Sequence, residues 1–171
     1  MKKLGISLLL GFVLFTHHVK AQAQPDEYAS PIITFAINAY DMEESLEFYT
    51  SILGMNVVDE FTIDSNFGLK SGLSNGVPFH VKVLRLTDDQ NSAQIKITSF
   101  ENQPLTKDEF IQDKIGVQYL TILVKDLDPF IERIQTNNIE FRGDTPIPLG
   151  ENQRFVLIQD PNGLFIELIG K

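Results

Sequence analysis

The sequence predicts an α+β protein in which one βαβββ module is written twice. Three observations carry this. Two segments with strand character, 32–39 and 117–124, are each followed by an aspartate that opens a helix. Both helices run back into extended structure. Both halves then finish on two strands around a polar turn. Module one is expected over 31–103, a linker over 104–115 and module two over 116–171. One such pattern alone says little, but its return in the same order is informative, because each module leaves a sheet face that its copy can cover.

In module one, IITFAINA (Ile32 to Ala39) alternates as a strand. Asp41 with Glu44 makes a capping-box-like helix start, and Met42, Leu46, Tyr49 and Leu53 share one apolar stripe. Gly54 stands where a left-handed residue ends the helix. A short strand follows over Met55 to Asp59, and HVKVLRL (from His80) and QIKITSF (from Gln94) flank the polar turn Thr87 to Ser92. In module two, VQYLTILV (Val117 to Val124) opens. Asp128 before Pro129 starts a helix bearing Phe130, Ile131 and Ile134, which ends at Asn137 and Asn138. Extended structure resumes at Ile139 to Phe141, and the final strands, Arg154 to Gln159 and Leu164 to Ile169, flank the turn Asp160-Pro161-Asn162-Gly163.

Residues 1–23 read as a secretory signal peptide and 24–171 as a single domain. Lys2 and Lys3 precede the apolar run Leu4 to Phe15, and Ala21-Gln22-Ala23 offers a small-x-small cleavage site after Ala21 or Ala23. The rival reading, a permanent membrane anchor, is disfavoured because a span needs about 20 apolar residues. The expected protein is exported, periplasmic or extracellular, with no stable membrane insertion. Its loss of Lys2, Lys3 and Lys20 takes the formal charge from −9 to −12, which disfavours nucleic acid and anionic lipid as partners. His17 and His18 leave too, so His80 is the one histidine kept. With no cysteine there is no disulfide framework, thiolate nucleophile or sulfur-ligated zinc site.

Two motifs, SLEFYTSILGM (Ser45 to Met55) behind Asp41 and the closing DPNGLFIELI, resemble the vicinal oxygen chelate superfamily of glyoxalases, extradiol dioxygenases, fosfomycin-modifying enzymes and bleomycin-binding resistance proteins. The resemblance covers nearly all of residues 24–171. It implies two βαβββ units forming a curved mixed sheet around a cleft, often paired into a homodimer. It also implies a divalent metal, such as nickel, zinc or manganese, held from the first and last strand of each module. The matching positions are Thr34, Lys96, Tyr119 and Glu167, and only Glu167 is a usual ligand. An ammonium has no lone pair to donate while protonated. The expectation is therefore that no metal cofactor is bound, with Glu167 the ligand if one is, and that Lys96 sits across the cleft as the ion-pair partner of Glu167.

Strand alternation sets Leu164, Ile166 and Leu168 on one face, expected to pack on the helices, and Glu167 on the other, which the resemblance implies is the cleft and which reads otherwise as a solvated edge. The same parity places Thr34, Asn38, Lys96, Thr98, Tyr119 and Thr121 there, a polar lining suited to a small polar or amphipathic molecule. The expected function is binding such a molecule without transforming it. The rival is a glyoxalase-type lyase or isomerase with a weakly held metal, or with Glu167, Tyr119 and His80 in metal-free proton transfer. His80 reads equally as a surface residue at a strand end. Arg85 and Arg154 fit either an anion grip or solvated strands, and Asp59, Glu60 and Asp64 lack the loop of a calcium site.

Overall fold

Capping sets the first helix where its sequence places it. Asp41 accepts from Glu44 N at 3.0 Å, and the helix α1, Met42–Glu47, follows strand β1, Thr34–Ala39. These elements come from a computed structural model that describes residues 29–30, 32–100 and 104–171. The expected signal segment, 1–23, lies outside the described residues. Pro31–Lys171 forms one compact unit. Among the described residues no helix is long and apolar enough to cross a membrane.

Beyond α1 the chain departs from the expected regular helix: Phe48–Ile52 is a π-helical turn, closed at Gly54 with φ 75°. An apolar periodicity cannot distinguish the two helix types. Strand β2, Asn56–Ile63, is longer than the five residues expected, and it carries a register shift between Val57 and Asp59. A short helix that the periodicity did not announce, α2 (Ser65–Ser71), follows. Asp64 caps it by accepting from Phe67 N at 2.8 Å, and Gly72 ends it at φ 76°. Strands β3, Phe79–Arg85, and β4, Gln94–Ser99, complete module one.

Module two runs β5 (Tyr119–Leu123), α3 (Asp128–Thr136), β6 (Ile147–Leu149), β7 (Gln153–Gln159) and β8 (Phe165–Gly170). Here one expectation is corrected. Extended pairing does not resume at Ile139 to Phe141; the return strand is Ile147–Leu149, paired with β7. Ile139 and Phe141 instead pack on the core, which any apolar pair in a loop can do.

The two modules form two four-stranded sheets, ordered β1-β4-β3-β2 and β5-β8-β7-β6. In each, the first strand pairs parallel with the last and the remaining ladders are antiparallel. Alternation is as the sequence implies. Ile95, Ile97, Ile166 and Leu168 enter one apolar cluster shared by both modules, together with Tyr49, Ile52 and Ile134 of the helices.

A polar latch crosses that shared core. Asp160, 1% exposed, accepts from the Tyr49 hydroxyl at 3.0 Å and from the backbone N–H groups of Asn162 and Leu164 at 2.9 and 2.7 Å. Asn162 reaches on into module one, donating to Ser45 Oγ at 3.0 Å and accepting from Tyr40 N at 2.9 Å. Burial raises the Asp160 pKa, opposed by the bonds it accepts from Leu164, Tyr49 and Asn162. Burial, with the Asp160 charge behind it, holds the Tyr49 pKa well above the ordinary tyrosine value.

Tyr49→Phe is expected to destabilise the fold by about 1–3 kcal/mol, because it removes one donor from a buried carboxylate. The raised Tyr49 pKa adds a pH signature. Its contribution is fully present below the unfolded value of about 10 and is lost as pH rises toward the folded value. Urea titrations should show a steep loss of stability above pH about 10 that Tyr49→Phe flattens; equal slopes in the two proteins would refute the assignment.

Candidate functional site

Strand β8 carries Glu167 between two aliphatic neighbours that face the core, so its own side chain leaves by the other face. Thr121 on the adjacent β5 is its register partner and donates its hydroxyl to Glu167 Oε2 at 2.6 Å. On the other flank lies Leu157 of β7.

Over this face the linker is tied down. Gln159 Nε2 donates to Asp108 O at 2.8 Å, and Arg142 Nη2 donates to Glu109 O at 2.7 Å. Asp113 accepts from the N–H groups of Glu109 and Phe110 at 3.1 and 2.8 Å, turning the chain back on itself. Gly163 is in close contact with the linker: a Cβ there would stand 3.2 Å from Lys107 Cα, and its φ of 91° suits glycine. Phe110 and Ile111 thereby form one wall of a cavity of roughly 520 Å³, with Phe155, Leu157, Phe165 and Glu167 of the sheet and Phe141 and Arg142 beyond α3. Glu109 and Glu140 complete the acidic part of its lining.

The expected ligand-binding set does not meet in one cleft within the chain. Tyr119, Thr121 and Glu167 stand on the second sheet; Thr34, Asn38, Lys96 and Thr98 stand on the first, and none of those four lines the cavity of Glu167. Thr98 is occupied locally, donating to Asn38 Oδ1 at 2.6 Å and Ile37 O at 3.2 Å. The expected Lys96–Glu167 ion pair is corrected. Lys96 Nζ lies 5.9 Å from the Phe61 ring centroid, and the described ion pairs are Lys82–Glu60 and Arg154–Asp128. Both side chains leave the helix-packed face of their strands, as parity requires, but they leave two separate sheets.

His80 is also apart from Glu167 and Tyr119. Its Nδ1 is 3.0 Å from Thr62 Oγ1 in the first sheet, and it does not line the Glu167 cavity. The metal that the fold family implies finds no donor set: among the described residues no three His, Cys, Asp or Glu side chains come together to hold an ion. Glu60 spends its charge on Lys82, whose cation lowers its pKa, and Asp64 caps α2. Arg154 pairs with Asp128 at 2.7 Å and donates to Lys171 O at 2.9 Å. Arg85 keeps a buried Nε with no partner among the described residues. Sequence reasoning missed the aromatic wall. The signal for it was the apolar pair Phe110-Ile111 set between the polar runs Thr106 to Glu109 and Gln112 to Lys114 of the linker.

Two sheets of this topology, with a carboxylate on the last strand, define the class of fold. The sequence profile of the Glyoxalase/Bleomycin resistance protein/Dioxygenase superfamily matches residues 32–168, and the chain belongs to that family. Among solved structures, a glyoxalase family protein from Bacillus cereus superposes with TM-score 0.69 at 17% identity, covering 88% of this chain and 98% of that one. Trypanothione-dependent glyoxalase I from Leishmania major gives 0.57 at 18% identity, covering 80% and 84%. A fosfomycin resistance protein from Listeria monocytogenes, solved with Mn(II) and sulfate, gives 0.50 at 12% identity, covering 81% and 90%. These likenesses concern the fold. Among curated proteins no sequence matches.

Lys96→Met is expected to change stability by no more than about 1 kcal/mol, the scale of a solvent-accessible cation–π contact. A loss of several kcal/mol in chemical denaturation, the mark of a broken buried ion pair, would restore the pairing with Glu167.

Proposed function

We propose that this family member is an exported binding protein that holds a small amphipathic molecule over Glu167 without a catalytic metal. The observation that carries the reading is the cavity itself: apolar and aromatic walls with a few placed polar groups are what small-molecule sites present. The donor chemistry agrees, since Thr34, Lys96 and Tyr119 stand where metal-binding relatives are expected to have ligands. Export rests on the character of residues 1–23.

Elemental analysis of protein purified without chelators, and again after nickel, zinc and manganese addition, is expected to find well under one ion per chain. A fragment screen by thermal shift is expected to find ligands that stabilise the protein but not Glu167→Gln. At a hundredfold excess over Kd such a ligand adds about 2.7 kcal/mol. Near-stoichiometric metal that Glu167→Gln abolishes would replace this reading with a metal-dependent lyase.

The same proposal includes a homodimer. Val117, Tyr119 and Leu123 are exposed along and before the edge strand β5, where a second copy would cover them. Light scattering should give twice the chain mass, and Leu123→Lys should halve it; a monomer at all concentrations would remove this part.

A further inference from the structure

The cavity beside Glu167 has a chemistry more specific than amphipathic. Four phenylalanines, Phe110, Phe141, Phe155 and Phe165, line it, each from a different segment of module two or its linker. Aromatic faces carry negative potential, and they attract ammonium groups within about 6 Å of a ring centroid. Glu167 supplies a formal negative charge in the same space, and the Thr121 hydroxyl bond holds its carboxylate in place.

The remaining charges reinforce the sign. Glu109 and Glu140 share the lining, while the single cation there among the described residues, Arg142, already donates to the Glu109 carbonyl. An anion entering would meet more carboxylates than cations. The whole chain is acidic, at −9, which raises the local concentration of cations at its surface. A metal ion is poorly served by phenylalanine walls, whereas an organic cation uses both the rings and the carboxylate.

Resting on the binding function proposed above, we infer that the pocket selects an organic ammonium cation with an apolar body, seated between the phenylalanine rings with its charge toward Glu167. The cation's methylene or methyl groups would cover the rings, displacing water from apolar surface as the charge is neutralised.

Isothermal titration with benzyltrimethylammonium, its uncharged carbon isostere neopentylbenzene, and phenylacetate tests the charge directly on the intact protein. The expected result is that benzyltrimethylammonium binds about tenfold or more tighter than either rival, the scale of a partly desolvated cation–π site. Glu167→Gln should erase most of that preference. Phe110→Ala, at a half-exposed linker position that leaves the core intact, should weaken the cation without changing the thermal midpoint. Equal or tighter binding of neopentylbenzene or phenylacetate overturns the inference and leaves the binding function standing. Failure of benzyltrimethylammonium to bind also overturns it. Only a fragment screen with no Glu167-dependent ligand of any charge would remove the binding function as well.

Discussion

Asp160 is a carboxylate taken almost wholly out of water at the place where the two modules meet. Its burial is tolerable because Tyr49 of module one and two backbone N–H groups of its own turn surround it with donors. The consequences spread in both directions. Toward module one, Asn162 carries the turn onto Ser45 and the end of β1. Toward module two, the bond from Leu164 N sets where β8 begins, two residues before Glu167. A single buried charge therefore joins the modules and fixes the register of the strand that carries the site.

That register decides which side chains surround Glu167. Alternation along β8 gives the core Ile166 and Leu168, and gives the cavity Phe165 and Glu167. The ladder then brings Thr121 alongside from β5 and Leu157 from β7. The linker finishes the pocket, because Gln159 and Arg142 bond its carbonyls and so hold Phe110 over the sheet. Nothing in this arrangement requires the first sheet. Module two and the linker build the cavity between them, while in module one Thr98 bonds Asn38 and Lys96 lies over the Phe61 ring.

Much of the architecture was legible in the sequence because it rests on local chemistry. Asp41 as a cap, Gly54 at positive φ, and the alternation of IKI and IEL are each decided within a few residues. The strand after α3 was misplaced because Ile139 and Phe141 are apolar for packing, not for pairing, and composition does not tell those apart. The π-helical turn and α2 escaped for a related reason: the first shares the apolar spacing of an α-helix, and the second is too short to show a period. For the site, parity correctly gave the face on which Lys96 and Glu167 leave their strands. It could not give their mutual distance, which depends on how two sheets meet, nor the wall supplied by a linker with no periodicity at all.

The proposed ligand site lies on the face of module two that carries Glu167, whose carboxylate is proposed to serve an organic ligand instead of an ion. Amide and methyl NMR shifts during titration with benzyltrimethylammonium test it most directly. Perturbations are expected to centre on Thr121, Phe155, Leu157, Phe165 and the linker around Phe110, with Thr34, Asn38, Lys96 and Thr98 unmoved. Shifts centred on those four first-sheet residues, with the surroundings of Glu167 unchanged, would contradict it.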